Sequence, residues 1–553
     1  MIERLTGAVL LSCLSGLVAV LIRWGVNPWF MDEPQTYAFF SMVPLLAAGW
    51  WFAPHLPTRR GLGVWGVASA ILFGLACIPP QSGDLNAKVV VVGIDGGTWT
   101  VADRVDMPAL EKLQKRGRRG ILEAEEPLFS PLLWSTLATG QRPDQHGIRG
   151  LNVRTDQATA GRFWEVARDA DLTVGLYKWL VTWPPPTGDL AGFTVPAWLA
   201  GDASTHPEGL SWVKALELSN RTHRKRVKTD RSTLGLTIDG LGGGLRWSTL
   251  WAAIRFASME RLSPLPVRKR EAFLRRLRLR IDRDAFVAAV HDHDPDLATF
   301  TIYVTDALSH THWSQDGGRH VEGAYRLADE VLAEIVAQFG PSTTFLVLSD
   351  HGFRNAADGG GVHSAVPKTD RLKQHIEDTV GTVEIVRLGR KLIVTPEIPI
   401  SDSAMEQSLG QLVLDDGKPL FRSEVYSGKS AWTVSVNHVP PESDWSSTFV
   451  GGIELSELVV PGRSDEGEHD PDGIVVLASP NGKNTELGRV NQVDVAPTIL
   501  ALLGLSVAED MPGQSWVEET VSRVPTHGHL APGGAPREAP VNIERLQQLG
   551  YVD

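Results

Sequence analysis

Three stretches of this chain read as buried β-strands that each end in aspartate: KVVVVGID at 88–95, TFTIYVTD at 299–306 and TTFLVLSD at 343–350. Their apolar residues, many of them β-branched, run on without the in-out alternation of a half-exposed strand, which is the pattern of a strand covered on both faces. Helical patterns fill the intervals, which are long enough for crossover connections. The chain is therefore expected to form an α/β domain around a mostly parallel sheet flanked by helices. Such sheets bind ligands outside the carboxyl ends of their strands, so Asp95, Asp306 and Asp350 are expected along one edge. A single aspartate after a strand is an ordinary turn or helix-capping residue. Three of them, with His310 one helical turn after Asp306 and His351 beside Asp350, point instead to a shared cation site.

The spacing of Asp306 and His310 puts both side chains on one face of a helix start, where both can grip one ion. Gly352 after Asp350-His351 permits the tight backbone that lets adjacent residues reach a common point. His469 stands shortly before another strand-like run at 473–479; alone it would be a plain loop residue. The only two cysteines, Cys13 and Cys77, lie in apolar runs near the N-terminus, so any metal in the rest of the chain is held by carboxylate and imidazole, donors that suit Zn2+ or Mn2+. Ser130 precedes Pro131 in FSPLLW, and this order predicts a helix over 131–138 ended by Thr139-Gly140. Helix capping is the ordinary role for such a serine. At the positive end of a helix dipole and beside a divalent cation, the same hydroxyl becomes a nucleophile.

The first 84 residues differ in kind. Apolar segments at about 5–22, 37–52 and 61–78 each approach the ~20 residues that cross a hydrocarbon core. Trp24, Trp29, Trp50, Trp51 and Trp65 sit near segment ends, where indoles favour the headgroup layer. A membrane anchor of three transmembrane helices over 1–84 is expected, followed by an outer domain at 85–553. Arg59 and Arg60 between the second and third segments put that loop on the cytoplasmic side, so the outer domain emerges on the extracytoplasmic, periplasmic face of the cell membrane. Insertions at about 187–295 and 355–468 are expected to cap the site. The first is basic, with Arg275, Arg276, Arg278, Arg280 and Arg283 on a predicted helix whose apolar face holds Phe273, Leu274, Leu277 and Ile281. Such a face is ordinarily solvated; its functional reading is a surface that lies on anionic lipid. Trp247, Leu250, Trp251 and Ile254 repeat at helical spacing before it, as a packed face does. With 53 Lys and Arg against 65 Asp and Glu, net charge −12, no nucleic-acid complex is expected.

Taken in order, VVVVGIDGGTW, SPLLWSTLATGQRPDQHGI, TDALSHTHW, LSDHGF, GEHDPDGIVVLASP and VDVAPTILALLGL resemble the type I phosphodiesterase and nucleotide pyrophosphatase branch of the alkaline phosphatase superfamily. The resemblance implies an alkaline-phosphatase-like fold and two divalent ions, Zn2+ first and Mn2+ second. One would be held by Asp95, Ser130, Asp350 and His351, the other by Asp306, His310 and His469, with His363 as the fallback for His469. It makes Ser130 the nucleophile of a membrane-anchored phosphoester hydrolase that passes through a phosphoseryl intermediate. Asn152 is the candidate donor to a phosphoryl oxygen. Many nucleotide-cleaving members continue after the nucleophile with Phe-Pro-Asn, whereas this chain has Pro131-Leu132-Leu133; a lipid or glycan head group then stands beside nucleotides as substrate. Transfer of a head-group phosphoryl unit to an acceptor alcohol, and a catalytically silent membrane receptor or assembly protein, are the other readings.

Overall fold

The computed structural model describes residues 85–528 except 126–127, 149–153, 189, 221–231, 263–266, 314, 356–364, 389–390, 428–430, 441, 462–466 and 518–521. The three membrane spans expected within 1–84 lie outside the described residues. Among the described residues, no helix is long and apolar enough to cross a membrane.

An eight-stranded sheet organises the chain. Its strands are β1 (Val89–Ile94), β2 (Gly117–Glu123), β3 (Val174–Tyr177), β4 (Gly192–Val195), β5 (Leu297–Ile302), β6 (Thr344–Leu348), β9 (Asp472–Ala478) and β10 (Thr485–Asn491), with β7 (Gly352–Asn355) and β8 (Gly467–Asp470) forming a separate two-stranded ribbon. The order is β10-β2-β9-β6-β1-β5-β3-β4, parallel throughout except for β9, which runs against both β2 and β6. All six residues of β1 are buried. Val90, Val92 and Ile94 face one apolar layer, Val89 and Val91 the other, which is why the run carries no alternation.

The first layer packs α1 (Pro108–Lys115), α3 (Ser211–Asn220), α5 (Val267–His293), α6 (Val304–His312) and α7 (Arg319–Val336) on the sheet; the second packs α2 (Ser130–Thr139) and α8 (Val495–Leu502). Residues 187–295 supply the edge strand β4 as well as α3, α5 and α4 (Trp247–Leu262). Between β7 and β8, a four-stranded antiparallel sheet with its own apolar core stands apart. The ribbon that brackets it in sequence carries Phe353 and His469, paired opposite one another.

Three sequence expectations shift. The run at 299–306 stops being a strand at Ile302, and Asp306 lies in the first turn of α6. Unbroken apolar character does not reveal where a backbone changes from extended to helical. The basic helix is α5, yet Arg278 turns inward and pairs with Glu217 at 2.7 Å and Asp282 at 3.3 Å, while Arg283 pairs with buried Asp284 at 2.6 Å. Arg275 and Arg276 stay exposed. On α4 the expected face packs only in part: Leu250 lies against the first layer, whereas Trp251 and Ile254 are 40% and 41% exposed, and Phe256 stacks on Phe273 at 4.4 Å.

Candidate active site

Strands β6, β1 and β5 lie side by side and in register, with Gly93 opposite Leu348 and Ile94 opposite Ile302. Their carboxyl ends stop at one level, and the residues that follow bring three aspartates together. The Asp95 N–H donates to the Ile302 carbonyl at 2.9 Å, and the Thr305 hydroxyl donates to the Asp95 carbonyl at 2.6 Å. The next residue, Gly96, has φ of 66° and donates its N–H to Asp350 Oδ1 at 3.3 Å. A side chain at Gly96 would be strained by that dihedral and would stand 2.5 Å from the Phe353 ring.

The first cluster is Asp95, Asp350 and His351, all buried. His351 Nε2 lies 3.7 Å from Asp95 Oδ1 and 3.5 Å from Asp350 Oδ2. Burial, then the charges of Asp350 and Asp306, push the Asp95 carboxyl well above the usual carboxylate range. Burial, then Asp306, push Asp350 up to about 7. Burial, then neighbouring His469, hold His351 well below an ordinary histidine. Asp95 Oδ1 and Asp350 Oδ2 are buried and accept no hydrogen bond among the described residues. Two acidic oxygens without donors, facing a neutral imidazole, match what a divalent cation requires and what an apolar or neutral ligand would leave unsatisfied.

The second cluster is Asp306, His310 and His469. His310 Nε2 is 3.3 Å and His469 Nε2 3.4 Å from Asp306 Oδ1, and the two imidazole nitrogens are 3.0 Å apart. Burial works against the Asp306 charge, but His310 and His469 outweigh it and hold the carboxyl well below its usual value. His469 donates from Nδ1 to the Leu128 carbonyl at 2.8 Å, which turns Nε2, with its electron pair, toward Asp306 and His310. The clusters are contiguous, since one atom each of Asp306, His351 and His469 lies within 4.8 Å of the others.

Ser130 opens α2, whose N-cap is Phe129 and carries no side-chain capping bond. Its hydroxyl is thus not spent on capping the helix, and Oγ lies 3.3 Å from His351 Nε2. All seven residues read as one constellation from the sequence are brought together. Asn152 and His363 lie outside the described residues.

Sequence reasoning missed the supports. Trp134 donates from Nε1 to Asp95 Oδ2 at 3.3 Å; its place one turn after Ser130 was the available signal. The Phe353 ring stands edge-on to His310 at 4.9 Å and to His469 at 5.1 Å. Gln492 donates from Nε2 to the Asp350 carbonyl, and nothing in the local sequence marks it.

The profile of the type I phosphodiesterase / nucleotide pyrophosphatase family matches residues 89–402, a span that contains every residue of the constellation but His469. No curated protein matches the chain. Among solved structures, an inactive variant of murine ectonucleotide pyrophosphatase / phosphodiesterase 5 in complex with AMP is 13% identical, over 78% of this chain and 97% of that one, with a TM-score of 0.45. The murine protein without that ligand is 14% identical over 77% and 97%, TM-score 0.43, and the human protein 13% identical over 77% and 96%, TM-score 0.43. On the extent of the profile match, the chain belongs to the type I phosphodiesterase / nucleotide pyrophosphatase family and is a metal-dependent phosphoester hydrolase of the alkaline phosphatase superfamily.

Proposed function

We propose that the chain is a membrane-tethered, two-metal phosphodiesterase in which Ser130 is the nucleophile. The observation that carries this reading is the Ser130 hydroxyl 3.3 Å from His351 Nε2, at the junction of two donor clusters. Asp95, Asp350 and His351, with Ser130, would hold one divalent ion, and Asp306, His310 and His469 the other. Zn2+ suits these donors first and Mn2+ second. Divalent ions held there would supply positive charge to a phosphoester's oxygens and to a serine oxygen losing its proton.

The chain's own residues supply the rest. The N-terminus of α2 favours negative charge on Ser130 Oγ. That oxygen attacks phosphorus, the bond to the leaving alcohol breaks with the serine proton passing to that alcohol, and the phosphoryl group, still esterified to the substrate's second alcohol, stays on Ser130 until water or an acceptor alcohol removes it. Leu132 and Leu133 are buried, so the position where many nucleotide-cleaving relatives offer an asparagine offers no amide here; the substrate class proposed is therefore a phosphodiester, with lipid and glycan head groups beside nucleotides. The apolar segments within 1–84 support a three-helix anchor that keeps the domain from residue 85 onward at the periplasmic face, with the bilayer as its partner.

The test is turnover of an aryl phosphodiester by the full chain, with metal content measured alongside and acid-quenched enzyme searched by mass spectrometry for Ser130 carrying the substrate's phosphoryl group with its second ester intact. Ser130→Ala, which leaves Asp95, Asp350 and His351 to hold that ion, should keep most of its metal, lose the Ser130 adduct and lose at least about 10^3-fold in rate. A Ser130→Ala protein that turns over normally would overturn the assignment.

A further inference from the structure

Trp134 is fully buried, and its single polar atom points at a carboxylate assigned to metal: Nε1 donates to Asp95 Oδ2 at 3.3 Å. A buried indole N–H needs some acceptor, but the surroundings are built for this one. Trp134 stands one helical turn after Ser130 on α2, so one rigid element carries both the hydroxyl and the grip on Asp95. Gly93 on β1, two residues before Asp95, leaves the space the indole fills; a Cβ at Gly93 would collide with the ring. Behind it Trp179 closes edge-to-face at 4.8 Å and donates its own indole N–H to the Trp134 carbonyl at 3.1 Å. The ring therefore has no room to swing away from Asp95. With Oδ2 engaged, the carboxylate presents Oδ1, which accepts no hydrogen bond among the described residues.

We propose that Trp134 is a positioning residue that holds Asp95 as a one-oxygen ligand and fixes that ligand relative to the Ser130 hydroxyl. This rests on the reading of Asp95 as a metal ligand. A single-oxygen grip suits a four-coordinate ion such as Zn2+, and release of the second oxygen suits ions that accept more oxygen donors, such as Mn2+.

The full chain, stripped of metal with a chelator, is titrated with Zn2+ and separately with Mn2+ by calorimetry. Trp134→Phe keeps a ring in the slot and removes only the N–H. Its Zn2+ affinity should fall about 10- to 100-fold, the usual effect of losing a ligand's outer partner, and its preference for Zn2+ over Mn2+ should narrow. Trp179→Phe is the control: it deletes the other indole N–H of the same stack without touching Asp95, and its Zn2+ affinity should stay at the wild-type value. Equal Zn2+ binding by Trp134→Phe and wild type overturns the inference, as does equal weakening by both variants, which would mark a merely structural role. If Trp134→Phe does not fold, NMR of the wild-type chain labelled at its indole nitrogens decides: Zn2+ must shift an indole N–H signal in step with occupancy, and signals unmoved by Zn2+ overturn it. A wild-type chain that binds no divalent ion defeats the functional reading itself.

Discussion

His351 and His469 lie ring on ring, 3.6 Å between centroids and 22° from parallel, and each turns Nδ1 to a backbone carbonyl, that of Gly352 and of Leu128. Those bonds make Nδ1 the protonated nitrogen and leave both Nε2 atoms as electron-pair donors aimed at the two clusters. His469→Ala should therefore lower metal content and cut phosphodiester turnover by about 10^3-fold, the equivalent of several kcal/mol of charge stabilisation. Elemental analysis of the purified variant beside a rate assay checks both halves; full metal with a full rate would contradict the assignment.

Asp350 gives a pH dependence with a definite sign. In the metal-free protein its carboxyl sits at about 7, against roughly 4 in an unfolded chain. The folded state then binds more protons than the unfolded state between those values, so this group's contribution to stability falls as pH rises through that window. Metal competes with the same proton. Zn2+ binding should strengthen as pH rises toward and past 7 and weaken below it, and metal-free Asp350→Asn should show a smaller stability loss between pH about 4 and 7 than metal-free wild type, the remainder coming from Asp95, whose carboxyl is also raised. Calorimetric titration and thermal melts at several pH values measure the two effects; a pH-independent affinity would sink the prediction.

Glu217 is the hinge of a buried ionic cluster beside the end of β3. Its carboxylate lies 3.0 Å from Lys178 Nζ, 3.0 Å from Lys214 Nζ and 2.7 Å from Arg278 Nη2, and Lys214 has no exposed surface. Glu217→Ala leaves buried cations short of their counter-charge and should destabilise the protein by about 3–5 kcal/mol, read as a shifted urea midpoint. Its metal content should be unchanged, because the cluster contributes no metal ligand. Lost metal in a folded Glu217→Ala protein would show that the cluster reaches the site.

Gly96→Ala probes the turn that follows Asp95. The left-handed φ of 66° costs a side chain of order 1–3 kcal/mol, and the new methyl meets the Phe353 ring, which backs His310 and His469. The variant should be less stable by about that amount and should also lose activity at temperatures where it remains folded. Loss of stability with undiminished turnover would show that Phe353 does not hold the imidazoles in place.

Much of this site was legible from the chain itself. The unalternating runs at 88–95 and 343–350 marked doubly covered strands, and strand polarity put their terminal aspartates on the ligand edge. Asp306 and His310 were paired by helical spacing, although the strand before them ends at Ile302. Arg278 was misjudged because a charge run reads as solvated where a counter-ion is distant in sequence: Asp282 stands one turn along the same helix, but Glu217 becomes its partner only when α3 packs on α5.

Local residue order determined which segments are strands and helices, which side chains are metal-seeking, and at which end of the sheet they gather, because periodicity and chain direction are short-range properties. Only the tertiary structure decided that His351 stacks on His469, that Trp134 reaches Asp95 and that Gln492 supports Asp350. Those relationships join residues far apart in the chain, and they exist because close packing of two layers on one sheet leaves each of these side chains a single place to go.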